Sequence, residues 1–209
     1  MATVNPRTLV AKLNTHCRRA LEAAAGLCLS RTNFHVEIEH WLVKLLEPAD
    51  TDLTRLFKHY GIDVGTVTRE LTRALDAMRT GNGRAPDLSL ELLDLMREAW
   101  TLASLDYNAA RLRSGHLLTA LLTERSLALR MGASVPALSK LPAERLQQDL
   151  PAIIAGSAED EAEPAPVTAD GAPHPAAGTS RTPALDQYTL NLTERARKQQ
   201  IDPVIGRDF

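Results

Sequence analysis

The chain repeats itself. Glu39-His-Trp-Leu-Val-Lys-Leu-Leu46 aligns with Gly115-His-Leu-Leu-Thr-Ala-Leu-Leu122 at a shift of 76 residues, and the same shift lays residues 15–30 on 91–106, with Ala20 over Met96 and Ala24 over Trp100. Each half runs on to a glycine, Gly61-Ile62-Asp63 and Gly132-Ala133-Ser134, which reads as an equivalent turn reached five residues earlier in the second half. A unit this small cannot bury its apolar face alone, so two copies are expected to pack as a pseudo-twofold pair around a shared core.

The spacing within each copy is helical. Val64, Val67, Leu71, Ala74, Leu75 and Met78 form one face of a helix over 63–78, with Asp63 as its N-cap. From Ser89 to Tyr107, Leu92, Leu95, Met96, Ala99, Leu102 and Ala103 form one face, and Leu93, Trp100 and Tyr107 a second, so this helix is expected to be central. Cys17, Ala20, Leu21, Ala24, Leu27 and Cys28 repeat the pattern behind a cap at Asn14, and shorter helices are expected near Glu39, at Asp52, at Ser114 and near Pro142. Composition agrees: 33 Leu and 30 Ala stand against 9 Val and 6 Ile, a balance that favours helices over strands. The expected fold class is all-α, with repeats over about 14–80 and 89–153.

Pro6–Lys12 adds a leading helix with Asn5 as cap and Pro at its first position. Under the repeat shift it falls on Asn82–Leu88, which is rich in turn formers, so the leading helix stands outside the duplicated frame. Its Leu9, Val10 and Leu13, with Leu88, Leu90 and Leu92 at the start of the central helix, are the candidate walls of a groove for a partner helix. The alternative is that the leading helix merely patches the core.

Charge divides the chain further. Residues 1–155 carry 19 Lys/Arg against 17 Asp/Glu, whereas 156–184 carry one base, five acids, five prolines and eight alanines. That stretch is too apolar-poor to order itself and is expected to be a flexible linker spanning roughly 30 Å, with the acidic run Glu159–Glu163 serving solubility. The net charge of −2 lacks the basic footprint of a nucleic-acid binder. No apolar run approaches the ~20 residues needed to span a bilayer, and Met1–Arg19 has no signal-peptide core. Cys17 and Cys28, eleven positions apart on one helix, sit roughly 16 Å apart, too far for a disulfide. A reducing, cytoplasmic setting is expected.

Catalytic constellations are lacking. His40 and His116 occupy equivalent first turns, where packing or hydrogen bonding is the natural role; His16-Cys17 has no orienting third group, and Glu37 and Glu39 read as solvated charges. No Gly-x-x-x-x-Gly-Lys-Ser/Thr loop occurs, so this stretch has no phosphate cradle.

The doubled helix plus Glu-His-x-Leu-x-x-Leu-Leu motif resembles the N-terminal domain of the Clp/Hsp100 AAA+ unfoldases. Leu185-Asp-Gln-Tyr-Thr-Leu-Asn-Leu-Thr-Glu-Arg-Ala-Arg-Lys-Gln-Gln-Ile-Asp-Pro-Val-Ile-Gly-Arg-Asp208 resembles the opening of that family's first ring domain, and Lys12–Cys28 is similar to the type VI secretion branch. The resemblance implies a recruitment domain, a linker over 156–184 and a truncated first AAA+ domain over 185–209. It implies no cofactor here, and ATP and Mg in the full-length homo-hexamer, where Val204, Ile205 and Gly206 would fold against the adenine. The implied partner is an N-terminal helix of the large subunit of the contractile type VI sheath, with no nucleic acid and no membrane, and the fragment itself is expected to be monomeric. A general disaggregase domain binding unfolded chains, or an adaptor-docking domain, are the alternatives.

Overall fold

The structure, a computed structural model, describes residues 6–160. In chain order it holds α1 (Pro6–Lys12), α2 (Thr15–Ser30), β1 (His35–Val36), α3 (Ile38–Leu45), α4 (Asp52–His59), α5 (Val64–Asp76), β2 (Asp87–Leu88), α6 (Leu90–Leu105), α7 (Ser114–Thr123), α8 (Arg125–Ser134), a 3-10 turn (Pro136–Lys140) and α9 (Ala143–Ile154). Most of the expected linker, and the whole of 185–209 with Val204, Ile205 and Gly206, lie outside the described residues.

Helix starts follow from local chemistry. Asn14, Thr51, Asp63 and Ser89 each turn a side-chain oxygen onto a free amide of the first turn, at Cys17, Thr54, Thr66 and Leu92. α4 ends on Tyr60, and Gly61 takes φ +66° to redirect the chain into α5. The second half does not repeat that turn. Gly132 lies inside α8, whose helix runs on to Ser134, so the expected glycine turn is a helix interior and the reversal falls to Val135 and Pro136 instead.

The repeat is visible in the fold: α2, α3 and α4 answer to α6, α7 and α8, and α5 answers to the 3-10 turn with α9. The halves also exchange backbone. The residues after α2 pair with those leading into α6, through β1 and β2 in parallel register (Val36↔Leu88). In return, the residues before α7 pair with those leading into α2, at the bridge Leu13↔Leu112. Each repeat therefore fastens the approach to the other's long helix.

One apolar core runs through both halves, with Trp41, Leu45, Leu53, Leu71, Leu92, Leu95, Met96 and Leu118 fully buried. The Trp41 indole N–H is satisfied by the Cys17 carbonyl at 3.1 Å. Cys17 and Cys28 are buried thiols in no disulfide; Cys17 donates weakly to the Glu159 carboxylate at 4.0 Å and Cys28 to the His35 carbonyl at 3.2 Å. The folded part also runs past the expected boundary at 155. Residues 156–160 pack onto the domain, and Glu159, expected to be solvated, is only 2% exposed.

Candidate partner-docking site

Leu9 on α1 and Leu13, just past the end of that helix at the bridge to Leu112, are buried, and Leu92 in the first turn of α6 is fully enclosed. These three belong to the core and present nothing to a partner; Val10 is half-buried against it. The leading helix thus patches the core, and its Lys12 ammonium sits 4.6 Å from the centre of the Trp100 ring. Trp100 lies a rise of about 15 Å along α6 from Leu90, so that end of α1 does not face Leu88 and Leu90 across a common groove.

Leu88 and Leu90 do line a concavity, of about 810 Å³, with Phe34 and Met78 as further apolar walls. Leu90 is 79% exposed and Phe34 40% exposed. A single exposed leucine signifies little, but apolar groups converging on one recess make it the candidate docking surface. The backbone around the recess is held firmly. Val36 accepts the Ser89 amide at 3.1 Å beyond the β1–β2 pairing. Buried Asn33 donates to the Arg79 carbonyl at 3.0 Å, its own carbonyl receives the Asn82 side chain at 3.1 Å, and the Asn82 amide donates to the Thr32 carbonyl at 2.9 Å.

His40 completes this frame. Its Nδ1 accepts the Glu37 amide at 3.1 Å, which leaves Nε2 to donate to Asn33 Oδ1 at 3.1 Å. Burial holds the imidazole neutral, its pKa lowered to about 4, with Arg31 adding to the effect. His116 repeats the arrangement, accepting the Arg113 amide at 3.2 Å and stacking on Tyr107 at 5.3 Å, and burial likewise lowers it to about 4. The expected hydrogen-bonding role of both histidines is what the geometry shows.

Glu39 departs from expectation. It is buried, not solvated, and burial pushes its carboxyl up, opposed by Arg130, which reaches it at 3.1 Å from α8 and contacts Glu91 at 2.5 Å. Arg130, Glu91 and Glu37 rim the recess, and Arg79 lies 5.4 Å over the face of Phe34. The recess thus combines apolar walls with a charged rim of mixed sign.

A second concavity, of about 690 Å³, lies beside α1 and is lined by Thr8, Ala11, Lys12, Asn14 and 108–111. It is the repeat equivalent of the first. The shift of 76 sends Lys12 to Leu88, Asn14 to Leu90 and Ala110 to Phe34, so matching backbone carries polar or small groups on one side and large apolar ones on the other. Of the residues lining the first recess, Leu88 and Leu90 are among the candidate groove walls named from the sequence, and Phe34 and Met78 are not. The available signal for Phe34 was its alignment with an alanine.

The Clp repeat (R) N-terminal domain family matches residues 12–148. The chain is 32% identical to the AAA+ ATPase ClpV1 of Pseudomonas aeruginosa, over all of this chain and 24% of that protein. It is 35% identical to the chaperone protein ClpB of Yersinia enterocolitica, over 98% of this chain and 24% of that one. It therefore spans about a quarter of the length of either relative. Among solved structures, a ClpV N-domain in complex with a VipB peptide superposes with a TM-score of 0.66 at 30% identity, covering 76% of this chain and 97% of that one.

Proposed function

The chain belongs to the Clp repeat N-terminal domain family, and from that premise we propose that it recruits substrate for a hexameric AAA+ unfoldase of type VI secretion. The substrate is an N-terminal helix of the large sheath subunit, and the complete ATPase, loaded with ATP and Mg, dismantles contracted sheaths in the cytoplasm. Val204, Ile205 and Gly206 contact adenine only in that complete protein, and the Pro/Ala-rich stretch before them tethers the domain to the ring. The observation that carries this reading is the recess lined by exposed Phe34 and Leu90 and half-buried Met78 and Leu88 on a fixed frame, in a chain similar to a ClpV N-domain solved with a peptide.

The physical mode is helix-in-groove: apolar anchors at i, i+3 or i+4 of the partner enter the recess, while its polar face meets the charged rim. Likeness to ClpB favours a second reading, in which unfolded chains are bound without preference. The two separate in one titration. A helical peptide from the sheath subunit, a permanently unfolded protein and an adaptor protein are each titrated into the chain. Selective saturation by the helix supports the secretion reading, and equal binding of the unfolded protein supports the disaggregase reading.

A further inference from the structure

The seam where α2, α4 and α7 meet converges three helix N-termini on one point, and the carboxylate of Glu159 occupies it. Its Oε2 accepts from the Asn14 side chain at 2.9 Å and the Ser114 amide at 3.0 Å. Its Oε1 accepts from the Asp52 amide at 3.1 Å and from the Ser114 hydroxyl, and stands 3.8 Å from His16 Nε2. Asn14, Asp52 and Ser114 are themselves buried. The flanking residues hold the segment down. Ser157 donates to Asp52 at 2.5 Å, Arg113 clasps Asp52 at 2.7 and 2.9 Å and also pairs with Asp160, and Arg55 donates to the Ala155 and Gly156 carbonyls at 2.6 Å.

The repeat symmetry shows what is unusual here. The equivalent seam, of α6, α8 and α3, is bridged from within the repeats by Arg130 in α8, which reaches Glu91 in α6 and Glu39 in α3. At the first seam the matching motif residue is Gly115 instead of glutamate; Arg113 joins α7 to α4 through Asp52, but the carboxylate that reaches all three helices arrives from beyond α9. We infer that this seam is a carboxylate-binding site, built from three helix N-termini with the Asn14 and Ser114 side chains, and that Glu159 is its resident ligand in cis. Helix N-termini favour anions through their free amides and aligned dipoles. Glu159 also lines the concavity beside α1, so withdrawing the 156–160 segment exposes the seat to a carboxylate from outside.

The test is chemical rescue in the full chain. Glu159→Ala should lower the midpoint of thermal unfolding by roughly 5–10 °C. Sodium acetate should restore much of that loss in a saturable way, equal sodium chloride should not, and the wild-type midpoint should respond alike to both salts. Glu159→Gln, which keeps the volume and one acceptor, should lose less and respond to acetate no more than to chloride, because its side chain still fills the seat. A Glu159→Ala midpoint equal to wild type, or one that acetate and chloride raise alike, overturns the inference. If the alanine variant does not fold in either salt, a glutamine variant as stable as wild type overturns it and one that is destabilised supports it.

Discussion

Two buried histidines make the domain's stability depend on pH in a definite window. An imidazole free in the unfolded chain titrates near pH 6.5, whereas His40 and His116 are held near 4. Between those values the unfolded state binds more protons, so stability is complete above pH 6.5 and falls as pH drops toward 4, by up to about 3 kcal/mol per histidine. Asp63 and Asp160, both held below their ordinary range, act below that window, whereas the Glu39 carboxyl, which burial pushes up, opposes the two histidines within it. Urea titrations at pH 7.5, 6 and 4.5 should show falling midpoints, and constant midpoints would contradict the protonation states assigned here. Gly115 is a second residue with a sharp consequence. A Cβ there would meet Leu150 Cδ1 at 3.1 Å and the Asp52 side chain at 3.2 Å, so Gly115→Ala should cost about 1–3 kcal/mol through overpacking. Wild-type stability for that variant would mean the α4–α7–α9 contact is looser than described.

Helices were legible where apolar spacing was long and a cap residue preceded it, as at Asn14, Asp63 and Ser89. What the pattern left out has physical causes. α8 carries only Leu127 and Met131 as buried residues over ten positions, and its glycine reads as a turn. β1 and β2 are two residues each, too short for an alternation. Residues 156–160 are held by hydrogen bonds and ion pairs across sequence separations of about a hundred residues, which no local composition reveals. Of the six candidate groove residues, Leu88 and Leu90 line the recess, while Leu9, Leu13 and Leu92 face inward, a difference that their shared apolar character does not reveal. For α1 the consequence is direct. Leu9→Ala should destabilise the domain by about 2–4 kcal/mol as a core truncation, while an exposed change such as Thr8→Ala should have little effect on stability. Equal unfolding midpoints for the two variants would place α1 outside the core.

At the scale of the molecule, duplication supplies two matching recesses and divergence gives them different chemistry. One is lined by exposed Phe34 and Leu90 and half-buried Leu88; the other, with Ala110, Asn14 and Lys12 in their places, is lined by Glu159. No helix among the described residues is long and apolar enough to cross a membrane. The proposed function assigns the exposed apolar groups of the first recess to capture of a protein helix. The most direct measurement is a calorimetric titration of a sheath-subunit helix into the wild-type chain, Phe34→Arg, Leu90→Arg and, at the matching place in the other recess, Ala110→Arg. Both residues of the first recess are exposed, so all variants should remain folded by circular dichroism. Loss of an anchor on the hot-spot scale of about 2 kcal/mol weakens binding roughly 30-fold. Helix capture at the first recess predicts that loss for Phe34→Arg and Leu90→Arg and near wild-type affinity for Ala110→Arg. The reverse pattern, or unchanged binding in all three, would contradict it.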